Sequence, residues 1–229
     1  MNWLAIETSG NAASIALQVG DRIESDVLGT GNAPASGEVL AGIAALLVRA
    51  GVTHDQLDGI AVGVGPGAFT GVRVACSVAQ GLSLAKGIPV VPVVSLDAVA
   101  QSEPADAVLA VLDARMGEVY WARYRRDAGG LLQREAMGVC GPDALAVPDD
   151  VRWTVCGAGF TEYREQFSPA LLAQLDTGDI TAIASAAQLL TWRAAMQVEA
   201  VAPEALAPCY VRDKVALTTA ERVAKALKA

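Results

Sequence analysis

The chain has 229 residues, enough to bury a sizeable core as one large domain or two small ones, and we expect two. Hydrophobic residues make up 53%, aromatic residues 5% and charged residues 18%, a balance that suits packed α/β layers and excludes disorder for the bulk of the chain. The net charge of −8 argues against nucleic acid as a direct partner of the whole surface, because a phosphate backbone would be repelled.

Basic residues cluster in the C-terminal tail. A solvated helix end would explain such a cluster, and contact with RNA is the alternative. The cluster consists of Arg212, Lys214, Arg222, Lys225 and Lys228. The sequence leaves both readings of the tail open.

The cysteines are scattered and have no histidine beside them, so we expect neither a zinc site nor a disulfide framework. Cys76, Cys140, Cys156 and Cys209 are predicted to be reduced core thiols. The N-terminus MNWLAIETSG enters a strand directly, without the regions of a signal peptide, and no apolar run is long enough to span a bilayer. We therefore expect a cytoplasmic protein without membrane contact.

The first half alternates strands with helices. NWLAIET and SIALQV, separated by the turn-rich SGNAA, indicate a hairpin, and DRIESDVL adds a third antiparallel strand. A helix follows, with Ser36 as its predicted N-cap and Gly51 as its predicted end. Its apolar stripe consists of Val39, Leu40, Ile43, Leu46 and Leu47. GIAVGVG then indicates a strand, TGVRVACSVAQGLSLAKG a helix, IPVVPVV a strand, and SLDAVAQS a helix from Ser95.

The second half repeats the plan of the first. ETSGNAASIALQV and DARMGEVYWARY each place a carboxylate at the end of a buried strand, turn tightly and run back. LLQREAMGV supplies a third strand and RWTVCGAG a later one. We expect a duplicated α/β unit with an N-terminal lobe at 1–103 and a C-terminal lobe at 104–229, while the role of 127–205 stays unspecified.

Two such units resemble the actin-like ATPase superfamily, which is built on a ribonuclease-H-like core. The resemblance implies a nucleotide in the cleft between the lobes, with the turns after the first strands near its phosphates. It places Thr8 and Ser9 in such a turn, and Glu7 and Asp113 where a metal-directing carboxylate is often kept. The alternative is that each acid merely ends a strand in solvent.

The stretch GVGPGAFTGVR, residues 63–73, joins a strand to a helix and has two interpretations. Its glycines follow neither the dinucleotide fingerprint nor a Walker A loop. Backbone amides at the helix start, with Thr70 as cap and Arg73 nearby, would favour an anion. Equally, Gly65, Gly67 and Gly71 would let strand and helix pack closely, and we expect this structural role to come first.

GVGPGAFTGVR, IETS near the start and LDARMGEVYWA in the second half together resemble the TsaB family, also called YeaZ. The likeness is strong over residues 1–126 and returns in CYVRDKVA, residues 209–216. It implies a partner of TsaD and TsaE that helps to place threonylcarbamoyl on the adenosine 3′ of the anticodon, in tRNAs reading codons that begin with A. It also implies a homodimer when alone, indirect contact with tRNA, and ATP with magnesium only in the complex.

The chain lacks the chemistry of a catalyst. TsaD-like proteins hold a metal with an H-x-x-x-H pair, whereas the only histidine here is His54 in the predicted loop GVTHDQ. The place where a histidine would be sought carries Ala35, Ser36 and Gly37. A Ser-His-Asp or Cys-His arrangement would need the same histidine, so we expect no metal, no catalytic residue and no protease.

The helix after the glycine turn has no charged residue from Val74 to Ala85. Small residues at i, i+4 and i+8 form a ridge on it, which another helix could approach closely. The resemblance places the partner surface on the helices of the first half. The predicted interface consists of Val39, Ile43, Val72, Ala75, Cys76, Ala79 and Ser83. The alternative is burial of this ridge within the chain's own fold.

We therefore expect a non-catalytic scaffold subunit of a two-lobed α/β fold. The alternative is an enzyme of the same fold, a small-molecule phosphotransferase that uses Glu7, Asp113 and the glycine turn around ATP and magnesium.

Overall fold

The computed structural model describes residues 1–29, 37–196 and 198–212. The first sheet has five strands, in the order β3-β2-β1-β4-β5. They are β1 (Asn2–Glu7), β2 (Ala13–Val19), β3 (Arg22–Leu28), β4 (Gly59–Gly63) and β5 (Val90–Val93). The hairpin strands β1, β2 and β3 are antiparallel, whereas β4 and β5 run parallel to β1.

The second sheet also has five strands, in the order β10-β9-β6-β7-β8. They are β6 (Ala107–Asp113), β7 (Val119–Arg126), β8 (Leu132–Cys140), β9 (Trp153–Cys156) and β10 (Leu175–Thr177). Three antiparallel strands are again followed by two parallel ones. Read from β8, this is the order of the first sheet, so the predicted duplication and the two-unit α/β fold are confirmed.

Six α-helices lie within the described residues. They are α1 (Val39–Ala50), α2 (Phe69–Lys86), α3 (Ser95–Ala100), α4 (Ala158–Glu162), α5 (Pro169–Leu172) and α6 (Ala186–Met196). The first three were expected from the sequence. The other three lie in 127–205, where the sequence analysis assigned no helix. No helix in the described ranges has both the length and the apolar character needed to cross a bilayer.

The first sheet separates two cores. Leu4 and Ile6 of β1 point to the side covered by α1 and α2, because side chains alternate across a strand, and Ala5 points to the other. On that other side α6 packs against β1, β2 and β4. A helix from the end of the chain thus completes the first unit, so a boundary at residue 103 does not separate the two structural units fully.

The starts of two helices differ from the sequence expectation. The first helix begins at Val39 after Glu38, and Ser36, its predicted cap, lies outside the described residues. The second begins at Phe69 with Ala68 as its N-cap residue, so the prediction that Thr70 caps it is wrong. Ala68 has a non-helical backbone (φ −59, ψ 118) and donates its N–H to the Ser9 carbonyl, which leaves Thr70 inside the first helical turn.

Candidate functional site

A cleft of about 310 Å³ lies between the two units. The first unit contributes the β1–β2 turn around Ser9 and Asn11 and the glycine turn around Gly67. The second contributes the β6–β7 turn at 112–116, Tyr120 and residues 183–184, and the tail segment 209–212 also lines it. Most of the lining is apolar, which suits van der Waals contact better than the binding of a polyphosphate.

Glu7 ends β1 and is fully buried. Its Oε1 accepts the Ser9 N–H at 2.6 Å, and its Oε2 accepts the Ser95 hydroxyl at 2.8 Å. Burial raises the pKa of this carboxyl above its ordinary value, although these hydrogen bonds oppose the shift. Oε1 therefore holds the β1–β2 turn, Oε2 joins the end of β1 to the start of α3, and Glu7 does not line the cleft.

The glycine turn packs directly on the backbone of the β1–β2 turn. A Cβ at Gly67 would overlap the Ser9 carbonyl, and one at Gly71 would overlap the Thr8 carbonyl. The Thr8 hydroxyl donates to the Gly71 carbonyl at 2.6 Å, and the Ala68 N–H donates to the Ser9 carbonyl at 2.7 Å. Gly65 adopts φ +90, a conformation that favours glycine. These contacts support the structural interpretation of the turn.

Asp113 stands at the end of β6 and lines the cleft. Its Oδ1 accepts the Tyr163 hydroxyl at 2.8 Å and the Arg115 N–H at 2.7 Å. Its Oδ2 lies 3.1 Å from the Arg115 guanidinium. Burial, followed by the hydrogen bond to Asp113, raises the pKa of Tyr163. The charge and the hydrogen-bonding capacity of Asp113 are thus satisfied by residues of its own unit.

ATP with magnesium is the ligand that this fold implies, and the residues present do not fit it. One of the two strand-terminal acids is buried with both oxygens occupied, and the other is already paired with an arginine. The Ala68 amide at the start of α2 already has a backbone acceptor. Hard cations prefer carboxylate oxygens. Glu7 is buried away from the cleft, and a cation at Asp113 would have to compete with the Arg115 guanidinium.

The segment 209–212 connects the two units along the cleft. Cys209 donates its N–H to the Val64 carbonyl at 2.8 Å, and Tyr210 accepts from Arg73 Nε at 2.8 Å. On the other side, Arg212 donates to the Ala114 carbonyl at 3.2 Å and pairs with Glu118. Of the predicted basic cluster only Arg212 is described, and it forms an internal ion pair; Lys214, Arg222, Lys225 and Lys228 lie outside the described residues.

The seven residues predicted as partner interface are all buried in the chain's own core. Val39 and Ile43 of α1 pack there with Val72, Ala75, Cys76 and Ala79 of α2, and Ser83 is fully buried beside them. The prediction that these side chains form a surface is therefore wrong. The ridge of small residues lets α2 approach its own sheet closely, which was the alternative reading.

The opposite faces of the same two helices are exposed and carry several apolar side chains. Leu40 and Val48 of α1 are 57% and 81% exposed, and Leu84 of α2 is 61% exposed. Small exposed residues surround them, namely Ala41, Ala44, Ala45, Ser77, Gly81 and Ala85. An apolar surface of this kind is typical of protein–protein contact.

His54 lies in a 3₁₀ turn, His54–Gln56, and does not line the cleft. Its side chain is half-buried, not solvated as expected of a polar loop. Within the described ranges no group of three or more His, Cys, Asp or Glu side chains is placed to hold a metal ion. The four cysteines are free thiols, two buried and two half-buried.

Sequence reasoning did not identify two parts of the cleft. Tyr210 carries no pattern that would link it to Arg73, 137 residues earlier. Arg115 and Met116 both have positive φ, of 61 and 60, in the turn that closes β6 onto β7. Strained non-glycine residues often cluster at functional sites, and the short spacing in DARMGE was the available signal.

Comparisons with known proteins cover almost the whole chain. A family model described as TsaD, tRNA N6-adenosine threonylcarbamoyltransferase, matches residues 36–144. The tRNA threonylcarbamoyladenosine biosynthesis protein TsaB of Escherichia coli is 32% identical, over 94% of this chain and 96% of that protein. Its namesake in Haemophilus influenzae is 33% identical, over 94% and 95%.

Two solved structures from Pseudomonas aeruginosa are similar in sequence and fold. One, described as similar to peptidase YeaZ, has a TM-score of 0.80 and 34% identity, covering 92% of this chain and 99% of that one. The other, YeaZ, has a TM-score of 0.78 and 35% identity, covering 91% and 99%. The likeness thus extends over both units.

Proposed function

The chain belongs to the TsaB family, also called YeaZ, and from this membership we propose that it is a non-catalytic subunit in the formation of threonylcarbamoyladenosine in tRNA. Its curated relatives are named biosynthesis proteins for this modified nucleoside. The proposed target is the adenosine 3′ of the anticodon in tRNAs reading codons that begin with A. The chain would support the transfer without performing it.

The exposed apolar faces of α1 and α2 carry this proposal. They turn away from the first sheet, and nothing in the described part of the chain covers Leu40, Val48 or Leu84. A homologue of TsaD is the proposed partner, bound through this surface. In its absence a second copy of the chain would cover the same surface as a homodimer.

The proposal of a non-catalytic role is supported by what the cleft residues already do. Glu7 and Asp113 are engaged by neighbours within the chain, and His54 is not among the residues that line the cleft. For the same reason the phosphotransferase alternative gains no support, and the histidine offers none for a peptidase. TsaE is a further proposed partner, and contact with tRNA would be indirect, in the cytoplasm.

A reconstitution experiment tests the proposal. The purified chain is combined with TsaD and TsaE homologues of one source, the enzyme that supplies the threonylcarbamoyl donor, and unmodified tRNA. We expect the modified nucleoside to form only when the chain is present. We also expect the chain to co-elute with the TsaD homologue. Full activity without the chain, or transfer by the chain alone, would contradict the proposal.

A further inference from the structure

Arg73 differs from the other cations on the exposed helices. Arg49 of α1 lies 2.9 Å from Asp26, and Lys86 of α2 lies 3.0 Å from Asp55, so both are paired within the chain. Arg73 lies within ion-pair distance of no carboxylate in the described ranges. In a chain of net charge −8, an exposed arginine that no described carboxylate pairs with is available to a partner.

Two aromatic rings hold the Arg73 guanidinium in place. Its central carbon lies 3.4 Å from the centre of the Phe69 ring and 5.5 Å from that of Tyr210. Only Nε is used within the described residues, since it donates to the Tyr210 hydroxyl at 2.8 Å. The two terminal nitrogens are left as donors, in the geometry that binds a carboxylate through two parallel hydrogen bonds.

The groove beside this arginine is apolar. It runs along the first turns of α2 and is lined by Phe69, Thr70, Arg73, Val74, Ser77 and Val78. Phe69 is 43% exposed and Tyr210 54% exposed, so the rings remain accessible. A fixed cation beside an exposed aromatic ring is typical of the residues that dominate binding energy at protein interfaces.

The geometry points to Arg73 as a preformed receptor for a carboxylate of the protein partner, an Asp or Glu side chain flanked by an apolar residue that enters the groove. This inference rests on the proposed function, because it names a contact on the same helical surface. Tyr210 acts as a positioning residue, which orients the guanidinium through its hydroxyl. The tail segment thereby contributes to partner binding.

The experiment measures the dissociation constant for the TsaD homologue with the full chain and four variants. Arg73→Glu is expected to weaken binding roughly tenfold or more, since it removes the receptor and repels the carboxylate. Arg73→Met keeps the packing on Phe69 and should also weaken binding. Arg164→Glu is the matched control, because Arg164 is exposed and stacks on Phe160 at 5.3 Å in the other unit. Tyr210→Phe should produce a smaller loss than Arg73→Glu.

A salt series and a rescue separate a charge contact from a structural effect. The wild-type dissociation constant should rise with salt, and that of Arg73→Met should rise less steeply. The partner's Asp and Glu residues are also changed to lysine one at a time. One of these partner variants should bind the Arg73→Glu chain again. Unchanged affinity of both Arg73 variants, beside a wild type that binds, would overturn the inference and leave the proposed function standing.

Other occupants would give different results. Loss of self-association with intact binding to the TsaD homologue would place the carboxylate on a second copy and overturn the inference. Loss of tRNA binding by Arg73→Glu in a filter assay, with protein binding intact, would assign the arginine to phosphate and overturn it as well. Failure of the wild-type chain to bind the homologue would remove the proposed function and this inference together.

Discussion

At the scale of single residues, the contacts of the glycine turn and of Glu7 decide how the first unit holds together. Gly71 touches the Thr8 backbone, and Glu7 joins β1 to Ser95 of α3. These contacts depend on the absence of a side chain at one position and on a buried carboxyl group at the other. Both can be tested by small substitutions.

Gly71→Ala is expected to lower the free energy of unfolding by about 1–3 kcal/mol, because the added methyl group overlaps the Thr8 carbonyl oxygen. Gly81→Ala in the same helix is the control, since a Cβ there meets no atom within 4 Å. That control should be stabilised by up to about 1 kcal/mol through helix propensity. Urea unfolding measures both, and equal stability of the two variants would contradict the packing argument.

The buried carboxyl of Glu7 predicts a specific pH dependence. Because burial raises its pKa in the folded state, the unfolded state loses its proton first as the pH rises above the ordinary value of 4.5. The stability that this group contributes is therefore fully present below that pH and is lost as the pH rises through the folded pKa. Glu7→Gln has no carboxyl group to titrate and lacks this loss. Its free energy of unfolding, measured with urea, should therefore increase relative to that of the wild type as the pH rises. A difference that shrinks as the pH rises would contradict the sign of the shift.

At the scale of elements, α1 and α2 each bury one face and expose another that is also apolar. Val39, Ile43, Leu46 and Leu47 of α1 pack on the sheet, while Val48 remains largely exposed. The exposed faces are the proposed partner surface. A substitution there should change association and leave the fold intact, unlike one at Ala79, which is fully buried.

Ala44→Glu places a charge in the middle of the exposed face of α1. Because an exposed helical position tolerates glutamate, we expect the free energy of unfolding to change by no more than about 0.5 kcal/mol. Size-exclusion chromatography should show loss of the homodimer and of co-elution with the TsaD homologue. Val151→Glu, at a 37% exposed position of the second unit, should leave both intact. Normal association of Ala44→Glu would place the interface elsewhere.

At the scale of the whole molecule, the two units are joined through the segment 209–212, the packing of α6 on the first sheet, and α3, whose Asp97 accepts hydrogen bonds from Tyr124 and Arg134 of the second unit. Arg212 contacts the second unit through Glu118 and the Ala114 carbonyl, and Val211 packs against the core on that side. Tyr210 and Cys209 are the segment's contacts with the first unit. The segment 209–212 should therefore be one of the contacts that fix the relative position of the units.

Arg212→Ala is expected to cost about 1–2 kcal/mol, since it removes a charged hydrogen bond and leaves Glu118 unpaired. Hydrogen exchange should speed up around 114–118 and 209–212 before other regions, because the loss is local. Arg152→Ala, which breaks a pair with Asp176 inside the second unit, is the control. If exchange at 114–118 and 209–212 were no faster in Arg212→Ala than in Arg152→Ala, Arg212 would not join the two units.

Local patterns were sufficient to predict most of the first unit and the duplication. β6 coincides with the predicted AVLAVLD, because a continuous apolar run between turn residues has few alternatives to a buried strand. The repeated carboxylate, turn and return strand predicted that the second sheet would follow the order of the first. The motifs of the glycine turn and of both hairpins were specific enough to predict the family, which the comparisons with known proteins confirmed.

Tertiary structure alone decided which faces and which side chains are available. No charge marks a face of α2 between Val74 and Ala85, so its periodicity could not show which side packs on the sheet, and the predicted interface was placed on the buried side. Glu7 meets Ser95 across 88 residues, and Arg73 meets Tyr210 across 137. Local sequence determines strands, helices and turns through backbone and periodic preferences, whereas contacts between distant residues arise only when the elements pack.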